Sequence, residues 1–180
     1  IINNVIDRTG GTLTTYDAGT IGLYLVGGEN NLVQNNSITQ FDVGIKLSSV
    51  LNNNITIQNN NLYTNDRAIT LSYCNNININ NNNISNNTNG IDSYQLGIEV
   101  FNAQNSEIKN NDFDLTVSGI FYRNSSNILN QNNSFSTIPL NDRGGYGSAN
   151  HRHDYGDVPC AFYIGALYRD FSVGYNCNNV

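Results

Sequence analysis

The chain has 180 residues with a formal net charge of −6, and only 12% of its residues are charged. Its eight lysines and arginines are too few to neutralise a nucleic-acid backbone, and no apolar run is long enough to span a bilayer. Hydrophobic residues make up 38% of the chain, which suffices for the core of one domain. We therefore expect neither a nucleic-acid partner nor a membrane-spanning segment.

Asparagine pairs recur along the first 140 residues at a nearly constant spacing. The pattern Asn-Asn-x-(Ile/Leu/Phe) begins at residues 35, 59, 81, 110 and 132, and a further copy begins at residue 3. The intervals between the five later copies are 24, 22, 29 and 22 residues. Self-similarity at a fixed period of this length is typical of solenoid proteins.

A small residue followed by alternating apolar residues keeps the same phase. The segments GLYLV, GIKLS, AITLS and GIFYR begin at residues 22, 44, 68 and 119. In the 29-residue interval Gly90 lies in phase, and the pattern resumes at Gly97, which indicates a loop that extends from one coil. The alternation predicts short strands with inward apolar residues. A period near 22 residues predicts a right-handed parallel β-helix of about six coils over residues 1–140.

The asparagines have a structural explanation in such a solenoid. Equivalent positions of successive coils stack about 4.8 Å apart. A carboxamide both donates and accepts hydrogen bonds, so each asparagine can bond to the one above and the one below. Asparagine also tolerates the left-handed conformation of tight turns. We therefore predict an asparagine ladder rather than a disordered tract.

The Asn-Asn-x-Ile repeats, with the following Gly-Ile-x-Leu segments, resemble the pectin-lyase-like right-handed β-helix superfamily. They are most similar to its NosD-like, carbohydrate-binding and sugar-hydrolase repeats, over roughly residues 1–140. The resemblance implies the fold. It does not choose among the superfamily's lyases, hydrolases, epimerases, phage tailspikes, adhesins and surface-layer proteins.

One outward column of side chains is the predicted ligand-binding face. It consists of Tyr24, Lys46, Thr70, Glu99 and Phe121. Lys46 and Glu99 are expected two coils apart, at about 10 Å, a distance that a bound sugar can bridge. The simpler interpretation of the column is a solvated sheet surface of mixed polarity.

Asp42 and Asp66 occupy equivalent positions on adjacent coils, next to Arg67. Two carboxylates about 5 Å apart can share Ca²⁺ or act as an acid and a nucleophile, with Lys46 as a further catalytic candidate. Aspartate is also common in ordinary turns. No cofactor other than Ca²⁺ is expected.

Residues 141–180 lack the repeat and are predicted to form a C-terminal cap or an assembly segment. Both histidines, His151 and His153, lie here as candidate metal ligands or acid–base groups, although a polar loop explains them as well. Cys160 and Cys177 lie outside the repeats and are candidates for a disulfide, which would suit an oxidising compartment. Cys74 is expected to fill a core position as a buried thiol.

These observations favour a secreted or cell-surface structural protein, such as a component of a filament, sheath, surface layer or adhesin. The chain starts almost on a repeat, and three things can account for this open first coil: residues upstream of it, a neighbouring subunit, or truncation. The expected partner is a second copy, through head-to-tail or lateral contact, or a polysaccharide. A carbohydrate- or receptor-binding module, such as part of a phage tailspike, is the alternative. A small polysaccharide lyase or hydrolase is the second alternative.

Overall fold

A computed structural model describes residues 1–8, 20–49, 54–85, 96–114, 118–136, 159–162 and 172–175. These residues form eighteen β-strands and no helix. In chain order the strands are β1 (Val5–Asp7), β2 (Ile21–Val26), β3 (Leu32–Gln34), β4 (Ser37–Thr39), β5 (Val43–Ser48), β6 (Ile55–Gln58), β7 (Asn61–Tyr63), β8 (Arg67–Ser72), β9 (Ile77–Asn80), β10 (Asn83–Ser85), β11 (Leu96–Phe101), β12 (Gln104–Lys109), β13 (Asp112–Asp114), β14 (Ser118–Arg123), β15 (Ser126–Gln131), β16 (Ser134–Ser136), β17 (Pro159–Phe162) and β18 (Ser172–Tyr175).

The strands form three sheets that run along a common axis. Sheet 1 contains β2, β5, β8, β11 and β14, sheet 2 contains β3, β6, β9, β12 and β15, and sheet 3 contains β1, β4, β7, β10, β13 and β16. Pairing between successive coils is parallel in all three sheets. The described part of the chain thus passes five times through sheets 1, 2 and 3, after one strand of sheet 3. This arrangement is the predicted right-handed parallel β-helix.

Aliphatic side chains from all three sheets fill the tube. On sheet 1, Ile45 pairs in register with Ile69, which pairs with Ile98, and Leu47 and Leu71 stack in the same way. All five side chains are buried, as the alternation predicted. Burial of each such side chain stabilises the fold by about 1.5–3 kcal/mol. The core is therefore a set of aliphatic columns parallel to the axis.

Glycine or alanine occupies the position where each described coil enters sheet 1. A Cβ atom on Gly44 would lie 2.7 Å from the carbonyl oxygen of Ala68 in the next coil. A Cβ atom on Gly97 would lie 2.6 Å from the ring of Phe113. Side-chain Cβ atoms do not approach other atoms this closely, so tight packing explains the recurring small residue at the start of the GIKLS-like segments.

The first asparagine of each pair makes the turn from sheet 2 into sheet 3. These residues have a positive φ between 54° and 59°, and they are Asn3, Asn35, Asn59, Asn81, Asn110 and Asn132. Asparagine adopts this left-handed conformation more readily than most residues because its short polar side chain bonds locally. The repeat therefore places asparagine here for backbone reasons.

The second asparagine of each pair forms the predicted ladder. Its members are Asn4, Asn36, Asn60, Asn82, Asn111 and Asn133. At each step the backbone N–H and the Nδ2 group both donate to Oδ1 of the next asparagine, at 2.9–3.1 Å. Nδ2 also donates backwards, as from Asn82 to the carbonyl of Ile57 at 3.0 Å. Each interior rung therefore joins three coils.

The C-terminal strands extend sheet 1. Strand β18 pairs in parallel with β14, and β17 pairs antiparallel with β18. The rest of the predicted cap or assembly segment at residues 141–180 lies outside the described residues, as does most of the loop predicted between Gly90 and Gly97. The division at residue 140 remains a prediction.

Candidate functional site

The outer face of sheet 1 carries the predicted ligand-binding column. Tyr24 pairs with Lys46, and Thr70 follows Lys46 on the next coil. Glu99 pairs with Thr70 and with Phe121. The register predicted for these five positions is confirmed, with Lys46 and Glu99 two coils apart. For Phe121 the described structure gives the backbone pairing alone.

Tyr24 and Lys46 form one end of this column. The Nζ atom of Lys46 lies 5.6 Å from the centroid of the Tyr24 ring. The tyrosine is 51% exposed, and a cation–π contact at an exposed site contributes about 0.5–1 kcal/mol. The pair therefore presents an aromatic surface and a positive charge together to solvent.

Glu99 belongs to a different group of side chains at the centre of the column. Its Oε2 atom lies 3.5 Å from Nε of Arg67 and 3.5 Å from the hydroxyl of Thr70. Both charged side chains are about 30% exposed or less, so solvent screens the ion pair in part and its contribution is modest. Alternation alone places residues 67 and 70 on opposite sides of the strand. The Arg67–Glu99 contact therefore had no signal in the sequence.

The predicted aspartate pair lies where the chain passes from sheet 3 into sheet 1. The N–H of Arg67 donates to the carbonyl of Asp42, which places Asp42 and Asp66 at equivalent positions on adjacent coils. Oδ2 of Asp42 accepts hydrogen bonds from the N–H and the hydroxyl of Thr20, at 3.0 and 2.7 Å. This carboxylate thus joins its coil to the preceding one. A catalytic or Ca²⁺-binding role for the two aspartates stays a prediction.

The remaining candidates concern metal ligands and cysteines. Cys74 is buried, and its thiol donates to the carbonyls of Leu47 and Ser72 at 3.6 and 3.3 Å, which confirms the predicted buried thiol. His151, His153 and Cys177 lie outside the described residues. Cys160 lies on β17, which is described by its backbone. Within the described ranges no group of three or more His, Cys, Asp or Glu residues is arranged to hold a metal ion.

In the part of the chain that the structure describes, no helix is long and apolar enough to cross a membrane. Neither a curated protein nor a solved structure matches the chain. A family model described as "Periplasmic copper-binding protein (NosD)" matches residues 2–148. The family's periplasmic location agrees with the secreted or cell-surface location expected from the sequence. Since this match and the β-helix cover the same repeats, the chain belongs to the NosD family.

Proposed function

We propose that the chain is a non-catalytic structural or surface component outside the cytoplasm, of the kind found in filaments, sheaths, surface layers or adhesins. The observation that supports this role most is the ladder from Asn4 to Asn133. Every step of the ladder carries two hydrogen bonds directed along the axis, and the interior rungs are buried. Bonds in this direction resist extension of the rod, which is what a filament or an adhesin stalk requires.

The charged groups on the surface support the same role. Glu99 contacts Arg67 on the preceding coil, and Lys46 lies over Tyr24. Asp42 is bonded to the coil before it. Each of these groups contacts a residue of a neighbouring coil. Their arrangement favours a scaffold that holds its coils together.

Self-association of the purified chain tests the proposal. Sedimentation velocity over a range of concentrations, with negative-stain electron microscopy of the same samples, is expected to detect species larger than the monomer. Because the chain carries few charges, assembly is expected to persist in high salt, where exposed charge pairs are screened. Sedimentation as a monomer at every concentration, with isolated particles in the micrographs, would contradict the self-assembling role.

Carbohydrate or receptor binding on sheet 1 is the second candidate. Its support is Tyr24, an exposed aromatic ring beside the charge of Lys46. Aromatic side chains with a polar edge are common anchors at binding surfaces. A glycan array probed with the parent chain and with the Tyr24→Ala variant tests it. If this candidate function is correct, the parent chain binds at least one glycan on the array, and Tyr24→Ala weakens that binding.

Copper, which the family's description names, does not fit the described β-helix. Copper prefers imidazole, thiolate and thioether ligands. The chain has no methionine, and its two histidines lie at residues 151 and 153. The thiol of Cys74 is buried and donates to backbone carbonyls. No step of the proposed function therefore involves copper.

A further inference from the structure

We propose that the outer face of sheet 2 binds a second copy of the chain, with the two solenoids side by side and related by a twofold axis parallel to them. This inference rests on the proposed structural role, and it names the surface through which the chain associates with itself. A twofold contact joins the same surface on both copies, so that surface must be complementary to itself.

Two outward columns of side chains, mostly uncharged and polar, form the outer face of sheet 2. The first column contains Leu32, Thr56, Asn78, Glu107 and Leu129. The second column contains Gln34, Gln58, Asn80, Lys109 and Gln131. None of the ten residues is buried. We call them the sheet 2 face.

Glu107 and Lys109 are the only charged residues in the five strands of sheet 2. They lie two residues apart on β12, and Nζ of Lys109 is 2.8 Å from Oε2 of Glu107. A twofold axis parallel to the solenoid exchanges the two columns at the same height. It therefore sets Glu107 of each copy against Lys109 of the other, across a gap of about 10 Å between packed sheets that the two side chains span together. A twofold axis across the solenoid sets Glu107 against Thr56 instead, so charge complementarity favours the parallel arrangement.

The other two sheets are not complementary to themselves under the same operation. On sheet 3 it sets Asp112 of one copy against Asp114 of the other, and like charges repel. On sheet 1 it sets Glu99 against Phe101, which removes a charge from water without an opposite charge to meet it. Among the described outer faces, the sheet 2 face therefore suits a second copy best.

Carboxamides make up most of the remaining contact. Under this operation Asn78 meets Asn80 of the second copy, and Thr56 meets Gln58. A carboxamide both donates and accepts hydrogen bonds, so two of them can pair whichever way each is turned. A second solenoid repeats its side chains at the same interval of about 4.8 Å. Every coil then meets an equivalent coil, which makes the second copy the expected occupant.

The size of the sheet 2 face sets the expected strength of the contact. Five strands about 4.8 Å apart extend about 24 Å along the axis, and strands of three to six residues are about 10–20 Å wide. The face therefore covers roughly 360 Å² per copy, less than half of the about 800 Å² that each partner buries in a stable complex. We expect weak association that increases with concentration.

Sedimentation velocity of the whole chain at up to about 1 mM tests the proposal. Lys109→Glu and Glu107→Lys each set like charges against a second copy, and each is expected to lower the association constant about tenfold or more. A mixture of the two variants restores opposite charges and is expected to associate at least as strongly as the parent. The exchanged variant, Glu107→Lys with Lys109→Glu, keeps the complementarity. It is the matched control, expected to associate within about twofold of the parent.

The two single variants also distinguish this contact from an effect of net charge. Lys109→Glu makes the formal net charge of −6 more negative by two, and Glu107→Lys makes it less negative by two. A general effect of net charge shifts association in opposite directions in the two variants, whereas the proposed contact is weakened in both.

Thermal melts by circular dichroism establish that each variant is folded. Association of both single variants as strong as that of the parent would overturn the proposal and leave the structural role standing, because assembly would then use another face. A mixture that associates no more strongly than its components would overturn it as well. If the parent is monomeric at every concentration, both the self-assembling role and the sheet 2 contact are wrong.

Discussion

Replacement of Asn82 by alanine tests the ladder directly. Oδ1 of Asn82 accepts two bonds from Asn60, and Nδ2 donates to Asn111, Ile57 and Asn80. The substitution removes these contacts and leaves the buried N–H of Asn60 without its acceptor. A buried unsatisfied group costs about 1–3 kcal/mol. Three further bonds are lost, from Nδ2 of Asn60 to Asn82 and from the two Nδ2 hydrogens of Asn82, and each contributes about 1 kcal/mol, so we expect a loss of about 4–6 kcal/mol.

Chemical denaturation followed by far-UV circular dichroism measures this loss. The midpoint is expected to fall while the slope is unchanged, because the surface exposed on unfolding remains similar. The matched control is Asn83→Ala, which removes an exposed amide from the next position and one bond of 3.3 Å to Asn61. We expect the control to change stability by less than about 0.5 kcal/mol. Equal effects of the two substitutions would refute the ladder as a source of stability.

An aspartate at the same position adds a pH test. The carboxylate of Asn82→Asp cannot donate to Oδ1 of Asn111 or to the carbonyl of Ile57, and it is buried against both oxygens. Burial and these oxygens are expected to raise its pKa in the folded chain above the unfolded value of about 3.9. The variant should therefore be most stable below that value and lose stability as pH rises through the folded pKa. If the difference in unfolding free energy between the variant and the parent is the same at acidic and at neutral pH, this expectation is wrong.

Three further substitutions or measurements follow from packing and ligand chemistry. Gly97→Ala is expected to destabilise the chain by about 1–3 kcal/mol in the same denaturation assay, because its methyl group overlaps the Phe113 ring; wild-type stability would contradict the close packing. Peptide mass spectrometry after alkylation should find Cys74 unmodified in the folded chain and modified in denaturant, since burial protects the thiol. In equilibrium dialysis, any Cu(II) that the chain retains is expected to be lost in the double variant His151→Ala with His153→Ala, and retention would place the ligands elsewhere.

The repeat in the sequence was sufficient to predict the fold. Alternating apolar residues identified the inward side chains of sheet 1, including Ile45 and Leu47, because strand alternation is a local property of the backbone. The recurring asparagine pairs predicted the ladder because equivalent positions of successive coils stack on one another. The outward column from Tyr24 to Phe121 followed from counting residues within each coil.

The sequence by itself thus determined the β-helix, its core and the presence of stacked amides. Only the tertiary structure showed that the two asparagines of each pair have different roles. Asn81 forms the turn, and Asn82 forms part of the ladder. The tertiary structure alone brought Arg67 to Glu99. Such contacts join residues from different coils. They depend on how side chains extend across the stack, whereas the period reports only which residues share a column.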